Sequence, residues 1–134
     1  MQTKAGAEAL AHVLRYIAED DPEVVILSLD GIGAFGYVKR VCFMRKLVAI
    51  PELHDIVPLV SALYGSESRF LWTDDDSVVH TIVQVEGGEQ GCPLMPALYA
   101  LAQLDAPVAA NGNLLPNELI LSFLDDLYLV TCRT

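Results

Sequence analysis

Positive charge is what this sequence has least of. Eight Lys and Arg stand against eighteen Asp and Glu, leaving a formal net charge of −10 at pH 7. Phosphate contacts need basic side chains, so this balance argues against a free-standing nucleic-acid binder. Cysteine is also sparse: Cys42, Cys92 and Cys132 are far apart, odd in number and without metal-ligand spacing. They argue against a disulfide frame or a zinc site and point to buried thiols in a reducing, intracellular compartment, nuclear or cytoplasmic. No apolar run reaches the length of a membrane span, and the N-terminus lacks the charged-then-apolar pattern of a secretory signal, so no membrane association is expected. What the chain does have is apolar material. With 53% hydrophobic residues in 134, it is expected to form a single domain, 1–134, around a substantial core.

Hydrophobic spacing outlines the elements. Ala7, Leu10, Val13, Leu14 and Ile17 recur at helical spacing over residues 6–18, with His12 beside the stripe, and Asp20-Asp21-Pro22 breaks the pattern. Val24 to Leu29 form a nearly continuous apolar run ending on Asp30, which predicts a central strand buried on both faces. Gly31-Ile32-Gly33 follow, then a helix expected from about Tyr37 to Ala49 with Val38, Val41, Cys42, Leu47 and Val48 inward. Lys39, Arg40, Arg45 and Lys46 on that helix are half of the chain's basic residues, and read either as a solvated face or as a contact for a phosphate backbone. Pro51 starts a turn, with His54 at the surface after it. Pro58 opens a helix that Gly65 ends.

Arg69–Trp72 and Val78–Val85 read as paired strands, with Asp74-Asp75-Asp76 as a solvated tip and His80 without a partner suggested by sequence. Glu86 to Pro93 is a glycine-rich loop ahead of an apolar helix, Leu94–Leu104, with Pro93 in its first turn. Glycines before a helix N-terminus let backbone N–H groups approach an anion, although the same pattern also serves a tight β-to-α connection. Residues 106–117 read as a surface loop, and 118–124 as the last strand before an acidic hairpin.

That hairpin is LSFLDDLYLVT, Leu121 to Thr131, in which Asp125-Asp126 interrupt two apolar stretches. Strand formers flanking an acidic break predict a tight hairpin with carboxylates at its tip. Aspartate is a favoured turn residue, so such a tip can simply face water. If the apolar flanks bury it, however, two adjacent carboxylates repel unless a cation sits between them, and a divalent-metal site is the sharper expectation.

SLDGIGAF at 28–35, GGEQGCPLMPALYAL at 87–101 and FLDD at 123–126 occur in that order. Together they resemble the three palm motifs of reverse transcriptases, most closely those of non-LTR retrotransposons, and the resemblance spans roughly residues 24–131. It implies an α+β fold, a polymerase palm-like antiparallel sheet backed by helices. On this resemblance Asp30 matches the first metal-binding aspartate, and Asp125-Asp126 match the aspartate pair of the catalytic hairpin, Asp125 being the stronger metal ligand. Phe35 matches the aromatic residue that screens the sugar 2′ position. Gln90 and Gly91 match the residues lining the nucleotide pocket, to which Gly31 and Ile32 also belong.

The implied activity is RNA-directed DNA polymerisation, with Mg²⁺ (or Mn²⁺) as cofactor and a deoxynucleoside triphosphate and an RNA/DNA template-primer as partners in the complete enzyme. Three carboxylates of this kind can hold two metal ions about 3.5–4 Å apart, one activating the primer 3′-hydroxyl and the other gripping the triphosphate. Two positions depart from the family pattern: Gly36 stands where relatives carry aspartate, and Cys92 where they carry a polar residue. The chain also has no room for full fingers or thumb, so weak nucleic-acid binding is expected of it alone. It reads as a palm fragment, the alternative being a non-catalytic relic of a decayed retroelement that acts at most as a binding module. An acidic domain stabilised by calcium or magnesium, with no nucleotide partner, is the third class.

Overall fold

The structure is a computed structural model, described here over residues 5–132. It is an α+β chain with antiparallel sheets, divided into two compact units: residues up to Ile32 together with those from Gln103 onward, and Gly33–Ala102.

In the first unit, α1 (Gly6–Asp20) half-buries Leu10, Leu14 and Ile17 and packs on β4 (Leu119–Phe123). Gly6 makes room at the helix start, because a Cβ there would come within 2.7 Å of the Phe123 ring. The helix stops where Pro22 requires it. Asp21 turns extended, its N–H still reaching the Ile17 carbonyl while its carboxylate accepts from the Glu23 N–H at 2.9 Å.

The sheet has the order β1-β5-β4, with β1 at Val24–Leu29 and β5 at Asp126–Cys132, all antiparallel. The middle place therefore belongs to β5, where a buried Val130 lies between Ile26 and Leu119. This corrects the expectation of a central strand at 24–30. Among the described residues β1 is an edge strand, and Leu27 and Leu29 are 46% and 52% exposed. A continuous apolar run is compatible with cover on both faces, but it does not specify which strand is flanked on both sides.

Residues 106–117 also depart from the loop expected of them, since α6 spans Asp105–Asn111. Pro107 is its third residue, where the backbone N–H has no intrahelical acceptor to lose, and Ala106, Ala109 and Ala110 favour helix.

The second unit is built on helices. Its core is Phe43 and Leu47 from α3 (Arg40–Ala49), Val60 and Tyr64 from α4 (Val57–Tyr64), and Met95 and Leu98 from α5 (Met95–Gln103). The expected helix over 37–49 is broken into α2 (Ala34–Tyr37) and α3, with Val38 and Lys39 extended between them. The cause is tertiary: the Gly87 N–H takes the Val38 carbonyl at 2.7 Å, and the Glu86 carboxylate takes the Arg40 N–H at 2.9 Å. The inward stripe shifts as well. Phe43 and Leu47 are buried beside Arg40, while Val41, Cys42 and Val48 are exposed.

Pro51–Ile56 form a 3₁₀ helix, after which Pro58 opens α4 and Gly65 follows its last residue. Strands β2 (Ser68–Thr73) and β3 (Val79–Gln84) pair in the expected hairpin. At its tip Asp74 accepts from the Asp76 and Val78 N–H groups, and its other oxygen meets His80 Nε2 at 2.6 Å. His80 thus has the partner that sequence did not suggest. Pro93 precedes α5, and Pro96, its second residue, takes the first-turn position.

Candidate functional site

The three expected metal ligands all belong to the first unit, at one end of its sheet. The β1–β5 ladder closes on Leu29 opposite Leu127, and Asp30 and Asp126 are the next residues beyond that pair on the two segments. On the other side Asp126 pairs with Phe123, which leaves Leu124-Asp125 as a two-residue turn. The acidic pair is therefore not the tip as a pair: Asp125 lies in the turn and Asp126 is the first residue of β5. A two-residue hairpin needs a positive φ at its first turn position, and Leu124 supplies it at 56°. A non-glycine residue there costs of order 1–3 kcal/mol, and such costs concentrate at functional sites.

Asp30 and Asp126 are exposed and Asp125 is half-buried, so most of the desolvation cost that argued for a cation is absent. What remains is convergence: two strands and one turn deliver three carboxylates to a single sheet end. Their hard oxygen donors suit Mg²⁺ or Mn²⁺. The donor set fits such an ion by its chemistry. Among the described residues, however, no three His, Cys, Asp or Glu side chains are gathered closely enough to hold one. Gly31 and Ile32 follow Asp30 in the open, Ile32 at 92% exposure.

The remaining expected residues belong to the second unit. Phe35, in α2, is half-buried against the core and meets Tyr99 edge-on, with ring centroids 5.3 Å apart. Gln90 and Gly91 are exposed in the loop after β3, where Gly91 has φ +90°. The amides of Gly87 and Gly88, which looked suited to an anion, are bonded instead to the Val38 and Phe35 carbonyls at 2.7 and 2.8 Å. Both glycines are buried. A Cβ on Gly87 would overlap the Gly36 backbone, and one on Gly88 would overlap the Met95 sulfur.

Arg40, expected on a solvated or phosphate-facing surface, is only 5% exposed. Its Nε donates to the Gly87 carbonyl at 2.8 Å, one terminal nitrogen to the Ser66 carbonyl, and the other to Ser68 Oγ at 2.9 Å. The guanidinium also lies over the Tyr64 ring, 5.3 Å from its centroid. Burial and a hydrogen bond with the Cys92 thiol push the Tyr64 hydroxyl up to about 12. Cys92 thus has a polar contact. Nothing in the sequence links Arg40 to Gly87, because the bond depends on how the chain folds back on itself.

Among the described residues no helix is long and apolar enough to cross a membrane. No protein-family model and no curated protein sequence matches the chain.

Proposed function

We propose that this chain is the palm portion of an RNA-directed DNA polymerase, in which Asp30, Asp125 and Asp126 hold Mg²⁺ or Mn²⁺. The observation that carries the reading is the strand register: Leu29, next to Asp30, pairs with Leu127, next to Asp126, and Asp125 stands in the adjoining turn. Residues remote in sequence reach one sheet end, and carboxylates brought together in this way are what two-metal nucleotidyl transfer to a primer 3′-hydroxyl uses. A metal held there would supply charge neutralisation at the triphosphate. Asp30, Asp125 and Asp126 would hold that metal; within the second unit, Phe35, Gln90 and Gly91 are the residues that would face a deoxynucleoside triphosphate. Gripping a template-primer takes basic surfaces along its phosphates. Arg40 is buried and sequestered, which removes one of eight basic residues from any such surface. The same burial favours the second reading, a non-catalytic relic with an intact fold.

Thermal melts with and without millimolar Mg²⁺ or Mn²⁺ separate the two. A metal that binds only the folded state stabilises it by about 2.7 kcal/mol at a hundred times its Kd. Asp30→Asn and Asp125→Asn should each abolish most of the shift, and Asp75→Asn should leave it intact. An equal loss with Asp75→Asn would move the site to the 74–76 tip. No shift in the unaltered chain would favour the relic.

A further inference from the structure

We infer that Arg40 is a positioning residue: it clasps the 86–91 loop to the turn carrying Phe35, and so sets where Gln90 and Gly91 stand. Its three acceptors lie on two segments. The Ser66 carbonyl and Ser68 Oγ flank the start of β2, and the Gly87 carbonyl follows the end of β3. Since Ser68 pairs with Gln84, the guanidinium pins the base of the β2–β3 hairpin at the point where the chain leaves it. The backbone completes the clasp. Glu86 accepts from the Arg40 N–H, while Gly87 and Gly88 donate to Val38 and Phe35. Gln90 and Gly91 follow within four residues of these anchors and are exposed.

A planar fork serves divergent acceptors that a single ammonium cannot reach together, and charge-assisted bonds to buried carbonyls are the strong kind. Lysine at this position would keep the charge and lose the geometry. The inference rests on the reading that Phe35, Gln90 and Gly91 face a nucleotide, so its test has one readout that needs no nucleotide.

That readout is amide hydrogen exchange, followed by NMR in the full chain. Arg40→Lys should cut protection at the Gly87 and Gly88 amides by about tenfold or more, the worth of one lost charge-assisted bond, with the Leu47 and Val60 amides unchanged. Affinity for a fluorescent deoxynucleoside triphosphate in Mg²⁺ should weaken in parallel. If Arg40→Lys does not fold, Ser68→Ala removes one arm of the fork and should give a smaller change in the same direction. Unchanged Gly87 and Gly88 amides in the folded variant overturn the clasp. Loosened amides with unchanged affinity overturn its positioning role. A wild-type chain that binds no triphosphate refutes the polymerase reading instead, and the amides still decide whether Arg40 holds the loop.

Discussion

Replacing Gly87 with alanine should be among the most damaging single-methyl changes available in this chain. Gly87 has φ +68°, where an L residue is disfavoured by roughly 1–2 kcal/mol. A Cβ there would also overlap the carbonyl oxygen, carbonyl carbon and Cα of Gly36, all of them backbone that no side-chain rotation can move aside. Overpacking of that kind adds roughly 1–3 kcal/mol, for a total of about 2–5 kcal/mol. Two controls divide the sum. Gly91→Ala meets nothing within 4 Å but has φ +90°, so it should show the conformational part alone. Gly36→Ala touches the same contact from the other side, meets nothing within 4 Å and lies in α2, so it should fall within about 1 kcal/mol of neutral. Urea denaturation followed by far-UV circular dichroism measures all three, read from midpoints at constant slope. If Gly87→Ala is no worse than Gly91→Ala, the close approach of the two backbones is wrong. Gly36→Asp has the same free space at Cβ and should fold as well.

Two further predictions concern pH. Because the folded Tyr64 hydroxyl titrates near 12 against an ordinary value of 10, the folded state keeps a proton that the unfolded state has lost between those values. Stability should therefore fall by at most about 3 kcal/mol as pH rises from 10 to 12, and Tyr64→Phe should flatten that slope in alkaline denaturation; equal slopes would refute the assignment. At the β2–β3 tip, His80 and then the Val78 N–H hold the Asp74 carboxyl below its ordinary value, so the stability it contributes is present above that value and is lost as pH falls through the lowered one. Trp72, the only tryptophan, packs on His80 with ring centroids 5.1 Å apart. Its emission should change on acidification, and in Asp74→Ala should already be changed at neutral pH; identical emission from the two proteins at neutral pH would count against the contact.

Much of the local structure was legible in the residues because local rules decide it. Pro22 ends α1, Gly65 follows α4, and the apolar alternation around 74–76 makes a hairpin, since each depends on backbone geometry that neighbours in sequence impose. The three acidic positions 30, 125 and 126 were legible as residues of interest for the same reason, standing where apolar runs stop. What sequence spacing could not supply was pairing. Two apolar strands compete for the middle of one sheet, and the middle went to Asp126–Cys132, which is hydrogen-bonded on both sides, and not to Val24–Leu29. The register of those pairs brings Asp30 and Asp126 to the same end of the sheet and moves the turn one residue back, onto a leucine with left-handed φ. Arg40 is the sharpest case. By charge it belongs on a surface, and as an isolated helix residue it would remain there. It is buried because the folded chain brings the Gly87 and Ser66 carbonyls and the Ser68 hydroxyl around one guanidinium, and hydrogen bonds donated to these residues, 26 to 47 positions away, replace the water it gives up.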